Sequence, residues 1–180
     1  MKHTFLLFFL LFISFLNTGN HLVGENPKKD IGIQWVSFEE LEQKMKDEPR
    51  KVIIDLYATW CGPCKYMEKT TFHNPIISQY INEKYYAVKF NGEEKRTIKF
   101  KGDEFHHVAG GRNGINELAP LLIHNSAFPT VIFMNEKLEV IQKFNFLSPE
   151  AMEMIMTYIG EEEYKKQAWE KYEKAFQSKL

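Results

Sequence analysis

The run Trp60-Cys61-Gly62-Pro63-Cys64-Lys65 constrains this chain more tightly than any other feature. It follows Lys51 to Tyr57 (KVIIDLY), a short β-rich stretch that is apolar on both faces, as a central strand should be. Pro63 falls where a helix can begin, because the N–H it lacks is one that a first turn leaves unbonded anyway. A cysteine at the start of a helix meets unpaired N–H groups and the positive end of the dipole, which favour thiolate over thiol. Cys64 lies one turn inside, close enough to bridge Cys61 and sheltered from outside attack. A strand, a reactive pair and a helix in that order point to dithiol–disulfide exchange. Two other readings use the same residues. A static disulfide would close a very small loop and so add little stability. A zinc pair completed by His73, His106 or His107 would need ligand spacings that match no common site.

The rest of the chain reads as elements that could carry such a site. Ser37-Phe38-Glu39-Glu40 has capping-box spacing, and Phe38, Leu41 and Met45 follow at helical intervals, so a helix should run from there to a point before Pro49. Asn74-Pro75 reads as an N-cap and first helical position, with Ile76, Ile77, Tyr80 and Ile81 as the apolar stripe. Tyr85 to Phe90 is a second strand. Thr130 to Met134 and Leu138 to Phe144 should pair as a hairpin across Asn135-Glu136-Lys137. Ser148-Pro149-Glu150 should cap a helix that Gly160 ends. Asn91 to Arg112 mixes charges with a Gly-Gly pair, contains a candidate hairpin at Thr97 to Phe105, and is treated as an insert. Asn113 to His124 is expected to be helical. Residues 161–180 carry Tyr164, Trp169, Tyr172 and Phe176 on an amphipathic pattern and are expected to form a C-terminal helix. The order of strands and helices gives a mixed sheet covered by helices on both faces.

Residues 1–24 look like a separate segment. Met1-Lys2-His3-Thr4 precedes the apolar run Phe5 to Leu16, and polar Asn17-Thr18-Gly19-Asn20 follows, which is the layout of a secretory signal peptide. About a dozen helical residues reach roughly 18 Å, short of a bilayer core of about 30 Å, which argues against an uncleaved anchor. Cleavage is expected between Gly19 and Gly24, which leaves residues 25–160 as the domain that carries the chemistry. Composition removes further classes. A formal net charge of -1 offers no basic footprint for nucleic acid, and two cysteines cannot build a disulfide scaffold or a four-cysteine zinc site.

The motif WCGPCK resembles the active site of thioredoxins. The longer string from Asp55 to Pro75, DLYATWCGPCKYMEKTTFHNP, is similar to the C-terminal thioredoxin-like domain of the DsbD-type thiol:disulfide interchange proteins and to exported thioredoxin-like proteins related to it. Phe128-Pro129-Thr130 resembles the cis-proline loop of that family, and the likeness covers roughly residues 35 to 160. It implies a thioredoxin-like α/β fold, with the insert placed before the cis-proline loop. It also implies roles. Cys61 would attack and Cys64 resolve. Asp55 matches the buried acid beneath the site, where a raised pKa would let it take the Cys64 proton. Glu68 matches a second acid that tunes the cysteines, its alternative being a solvated helix acid. Lys89 falls where the family places a lysine near the buried acid, its alternative being an exposed strand lysine. Trp60, Gly62, Pro63, Phe128 and Pro129 would form the substrate surface, with Pro129 in cis and Trp60 capping the sulfurs, unless Trp60 is simply a packing residue. The chain departs from cytosolic thioredoxins at Tyr57, where Trp is usual, at Lys143-Phe144-Asn145, where a Gly is usual, and at Phe128, which is bulkier than usual.

The function expected from these residues is an exported, periplasmic or otherwise extracytoplasmic, monomeric protein-disulfide reductase. Its redox element would be the Cys61–Cys64 pair itself, with no separate cofactor and no metal. Its partners would be disulfide-containing extracytoplasmic proteins and a membrane electron donor of the DsbD type, with no nucleic acid. The alternatives are a disulfide oxidase or isomerase, and a non-catalytic binding or assembly module that uses the insert and the tail.

Overall fold

The computed structural model describes residues 32–111 and 113–180. The expected signal segment at 1–24 lies outside the described residues. Among the described residues no helix is long and apolar enough to cross a membrane.

Strand β2 (Lys51–Tyr57) runs through the centre of a five-stranded sheet. It pairs in parallel with β3 (Tyr85–Asn91) and antiparallel with β8 (Thr130–Met134). The sheet is completed by β1 (Trp35–Val36), parallel to β3, and β9 (Val140–Phe144), antiparallel to β8. The spatial order is β1-β3-β2-β8-β9. Side chains alternate across a strand, so each inward set builds a different core. Val52, Ile54 and Leu56 face α1 (Phe38–Asp47) and α4 (Leu118–Leu122). Ile53, Ala87, Val131 and Phe133 face α2 (Gly62–Met67), α3 (Pro75–Lys84) and α5 (Pro149–Gly160). This is the mixed sheet with helices on both faces that the sequence implied. Asp55 shares the parity of Ile53, which puts the acid on the face that α2 covers.

The caps explain where the helices begin. Ser37 and Glu40 form a reciprocal capping box, Asn74 Oδ1 accepts from the N–H groups of Ile76 and Ile77, and Ser148 Oγ accepts from the Ala151 N–H. After α2 the chain continues through one π-helical stretch, Glu68–Phe72.

The structure revises four boundaries. The insert expected at 91–112 is folded into the domain and extends to Asn116. It forms the hairpin β4 (Ile98–Phe100) and β5 (Asp103–Phe105), then β6 (His107–Val108) paired with β7 (Ile115–Asn116). Ile98 and Phe100 join the core around Phe38, with ring centroids of Phe38 and Phe100 4.9 Å apart. Second, Asn113 to His124 is not one helix. Gly114 takes φ +74°, and the buried Asn116 accepts from the Leu118 N–H, so only Leu118–Leu122 is helical. Third, residues 161–180 do not form one amphipathic helix. Glu162 takes a left-handed φ of 58°, a 3-10 turn follows at Glu163–Lys165, and α6 covers only Trp169–Ala175. Fourth, β9 starts at Val140, because Leu138 sits in the turn at φ 57°. Trp35–Val36, which contributes an edge strand, carries too few residues to show a period-2 pattern in sequence.

Candidate active site

The chemistry sits where β2 ends and α2 begins. Cys61 is the N-cap of α2, with Pro63 in its first turn. Its Sγ accepts from the Cys64 N–H at 3.1 Å, one of the donors a helix start leaves free. Cys61 and Cys64 form a disulfide with Cα atoms 5.3 Å apart. Ala58 packs with the two sulfurs, and Tyr57 and Phe128 lie against this cluster. Both cysteines are buried, while the intervening Gly62 and Pro63 are exposed. The turn therefore shows its backbone to a visitor and keeps its sulfurs just beneath.

Asp55 lies on β2, the strand that leads into this turn, and is buried with only 3% of its surface exposed; among the described residues its Oδ1 has no hydrogen-bond partner. Burial pushes its carboxyl up to about 7; Lys89 opposes the rise and Glu68 adds to it. The three groups are brought together by register. Asp55 stands opposite Lys89 across the β2–β3 pair, and Lys89 Nζ lies 2.6 Å from Glu68 Oε2. Lys89 also lies over the rings of Tyr57 and Trp35, at 5.5 and 5.6 Å from their centroids. Glu68 and Lys89 thus form a half-buried ion pair beside a buried acid.

Phe128 and Pro129 come from the loop before β8, and the peptide bond between them is cis. Phe128 meets Trp60 edge to face, with centroids 6.0 Å apart. Trp60 is half exposed, and its Nε1 donates to Glu93 Oε1 at 2.7 Å. Thr59 Oγ1 and Asn113 Nδ2 also donate to Glu93. Burial raises the Glu93 carboxyl, but these three donors outweigh it and hold it below its ordinary value. Glu93 therefore joins the motif to the folded insert. A cleft of about 540 Å³ opens between them, lined by Thr59, Glu93, Lys95, His107 and the Gly110-Gly111 turn.

Sequence reasoning missed Glu93, Asn113 and Asn145. Asn145 Nδ2 lies 3.1, 3.3 and 3.3 Å from the carbonyl oxygens of His124, Ala127 and Pro129, which ties the chain after β9 to the cis-proline loop. The only available signal was that Asn145 falls in the segment where a Gly is usual. The histidines considered as zinc ligands are occupied elsewhere. His106 Nδ1 meets Thr97 Oγ1, and His107 Nε2 lies 3.0 Å from the Asn113 carbonyl. Among the described residues no group of three or more His, Cys, Asp or Glu side chains is placed to hold a metal ion.

Comparison with known proteins agrees with this geometry. A family model described as thioredoxin-like matches residues 34–135. The chain is 48% identical over 46 residues to the thiol:disulfide interchange protein DsbD of Haemophilus ducreyi, a match covering 25% of this chain and 8% of that protein. It is 38% identical over 65 residues to thioredoxin Y, chloroplastic, of Oryza sativa subsp. japonica, covering 34% of this chain and 33% of that one. The chain thus spans only a small part of the length of these relatives. A solved thioredoxin-fold protein from Helicobacter pylori superposes with a TM-score of 0.53 at 17% identity, over 71% of this chain and 80% of that one. The DsbH oxidoreductase gives 0.50 at 13% identity, over 72% and 84%. At such identities the two structures speak for the fold alone.

Proposed function

Because this chain belongs to the thioredoxin-like family, we propose that it is an exported thiol:disulfide oxidoreductase that mainly reduces the disulfides of extracytoplasmic proteins. The observation that carries the reading is the Cys61–Cys64 disulfide at a helix N-terminus, with an acid, Asp55, buried in the strand that leads to it. In the reduced protein the Cys61 thiolate attacks one sulfur of a client disulfide. A mixed disulfide forms, and the other client sulfur leaves as thiolate. Cys64 then gives its proton to Asp55 and attacks the Cys61 sulfur. The Cys61–Cys64 bond forms and the second client sulfur leaves, so the client gains two electrons and this protein loses two. A dithiol donor restores the reduced state by the same exchange in reverse. The likeness to DsbD-type proteins supports a membrane-delivered electron supply and a location outside the cytoplasm. The roles of Asp55, Glu68 and Lys89, and of Trp60, Gly62, Pro63, Phe128 and Pro129 as the client surface, belong to this proposal.

The Gly-Pro pair between the cysteines resembles strongly reducing members, near −270 mV, rather than oxidants near −120 mV. The test is reduction of a peptide disulfide with dithiothreitol as electron source, together with equilibration in glutathione buffer. Wild-type protein should turn over and Cys61→Ser should be inert. A potential above about −150 mV would instead assign an oxidase. Function that survives Cys61→Ser in cells would assign a binding module.

A further inference from the structure

Two exposed aromatic rings near the dithiol have no part in the mechanism above. Tyr66 is 61% exposed and Phe146 is 40% exposed, and they stack on each other with centroids 6.0 Å apart and planes at 25°. Both are placed by the site. Tyr66 lies three and four residues beyond Pro63 and Gly62 on α2, so these three residues share its exposed face. Phe146 is held from both sides. Just before it, Asn145 is tied to the carbonyl oxygens of the cis-proline loop, including that of Pro129. Just after it, the Leu147 N–H donates to Met67 Sδ at 3.5 Å, and the Leu147 carbonyl accepts from Thr71 Oγ1 at 2.9 Å. The backbone around Phe146 therefore bridges the two elements that build the exchange site, the cis-proline loop and α2.

Single exposed apolar side chains are ordinary on a protein surface. A stacked pair on the same face as the Gly-Pro turn, on anchored backbone, is a preorganised contact surface that costs little ordering when a partner arrives. It is also separate from the Trp60–Phe128 pair, since each ring has its own neighbour. We propose that Phe146, stacked on Tyr66, is a specificity-determining residue of the exchange site, favouring polypeptide clients that carry an aromatic side chain beside the reactive cysteine. An incoming ring would meet the pair edge to face or offset, the arrangements that aromatic quadrupoles favour. The inference rests on the dithiol function proposed above.

The test uses two disulfide-bridged peptides, identical except for Phe or Gly next to one cysteine, reduced by the full chain with dithiothreitol as electron source. Wild-type protein should show a kcat/KM about threefold to tenfold higher for the Phe peptide, the range an added aromatic contact supplies. Phe146→Ala, and separately Tyr66→Ala, should bring the ratio close to one. The rates on the Gly peptide and on dithiobis(nitrobenzoate) should stay unchanged. Three results overturn the inference: equal rates on both peptides with wild-type protein, a preference that survives in both variants, or a parallel loss on both peptides and the small disulfide, which would show a structural role. Wild-type protein that reduces neither peptide overturns the exchange reading itself, and this inference with it.

Discussion

Asp55→Asn isolates the buried acid from everything else in the site. The carboxyl moves from an ordinary 3.8 to about 7 on folding, chiefly through burial. Each pH unit of such a difference is worth about 1.4 kcal/mol, so the full effect is on the order of 4 kcal/mol. Below pH 4 the group is protonated in both states and costs nothing. Between about 4 and 7 the unfolded chain ionises while the folded protein keeps its proton. The folded state then binds more protons, and stability falls as pH rises. Above 7 the whole penalty is present. The asparagine variant cannot ionise, so its stability should lack this fall and should exceed its own pH 4 reference, relative to wild type, by about 4 kcal/mol at pH 8. Urea unfolding of both oxidised proteins between pH 4 and 8.5 measures the difference directly, and other titrating groups cancel. Lys89→Met should move the fall to higher pH and Glu68→Gln to lower pH, because Lys89 lowers and Glu68 raises the Asp55 carboxyl. Parallel profiles for wild type and Asp55→Asn would show that Asp55 is already ionised in the folded protein and would remove it as the proton acceptor for Cys64. The kinetic counterpart is a resolving step slowed by about 100-fold or more in the variant at neutral pH, as for other lost general bases.

Two further outcomes follow from packing. In Gly92→Ala the new Cβ would lie 2.7 and 2.9 Å from ring atoms of Phe128, so the ring must shift; unfolding should show a loss of about 1–3 kcal/mol, and peptide-disulfide turnover should fall more than reaction with a small disulfide. Deleting residues 177–180 removes the Ser178 hydroxyl and Lys179 N–H that donate to the Glu153 carboxylate, and should cost about 1–3 kcal/mol; an unchanged urea midpoint would mean that the tail adds nothing to the domain.

What could be read from the sequence was local and periodic. The caps at Ser37, Asn74 and Ser148 announce themselves because side-chain oxygens at a helix start have few substitutes. The central strand was legible because a buried strand must be apolar on both faces, and Asp55 stood out as the charged residue in the middle of it. Glu68 and Lys89 could be named but not joined, since their contact depends on how the chain leaving α2 packs against β3. Glu93 was hidden for the same reason. Its partners Thr59, Trp60 and Asn113 lie 34, 33 and 20 residues away along the chain, and a charged residue in a charged segment looks solvated. The hairpin expected at Thr97 to Phe105 forms as Ile98–Phe100 paired with Asp103–Phe105, but its docking on the core was not legible, because the two fully buried residues, Ile98 and Phe100, do not make a period. The tail was read as one helix because its aromatics have helical spacing. In the structure they cluster instead through turns, Tyr158 lying 5.2 Å from Trp169 and 4.8 Å from Tyr172.

In the exchange proposed above, an acid poised near neutrality would do more than accept one proton. When Cys61 attacks, its thiolate is favoured by the helix N-terminus, and a second negative charge beneath it would oppose that ionisation. A protonated Asp55 leaves the thiolate unopposed. When Cys64 must attack, the need reverses, because a carboxylate is required to take its proton. A group fixed at either extreme could serve only one of these steps. With a carboxyl near 7, both forms lie within reach at neutral pH, which is what the two proposed steps would ask of Asp55. The Glu68–Lys89 pair bears on this balance from outside the buried layer, since its two members push the acid in opposite directions. On the proposed mechanism the partly buried ion pair would therefore matter less as a source of stability than through its opposed effects on the Asp55 carboxyl.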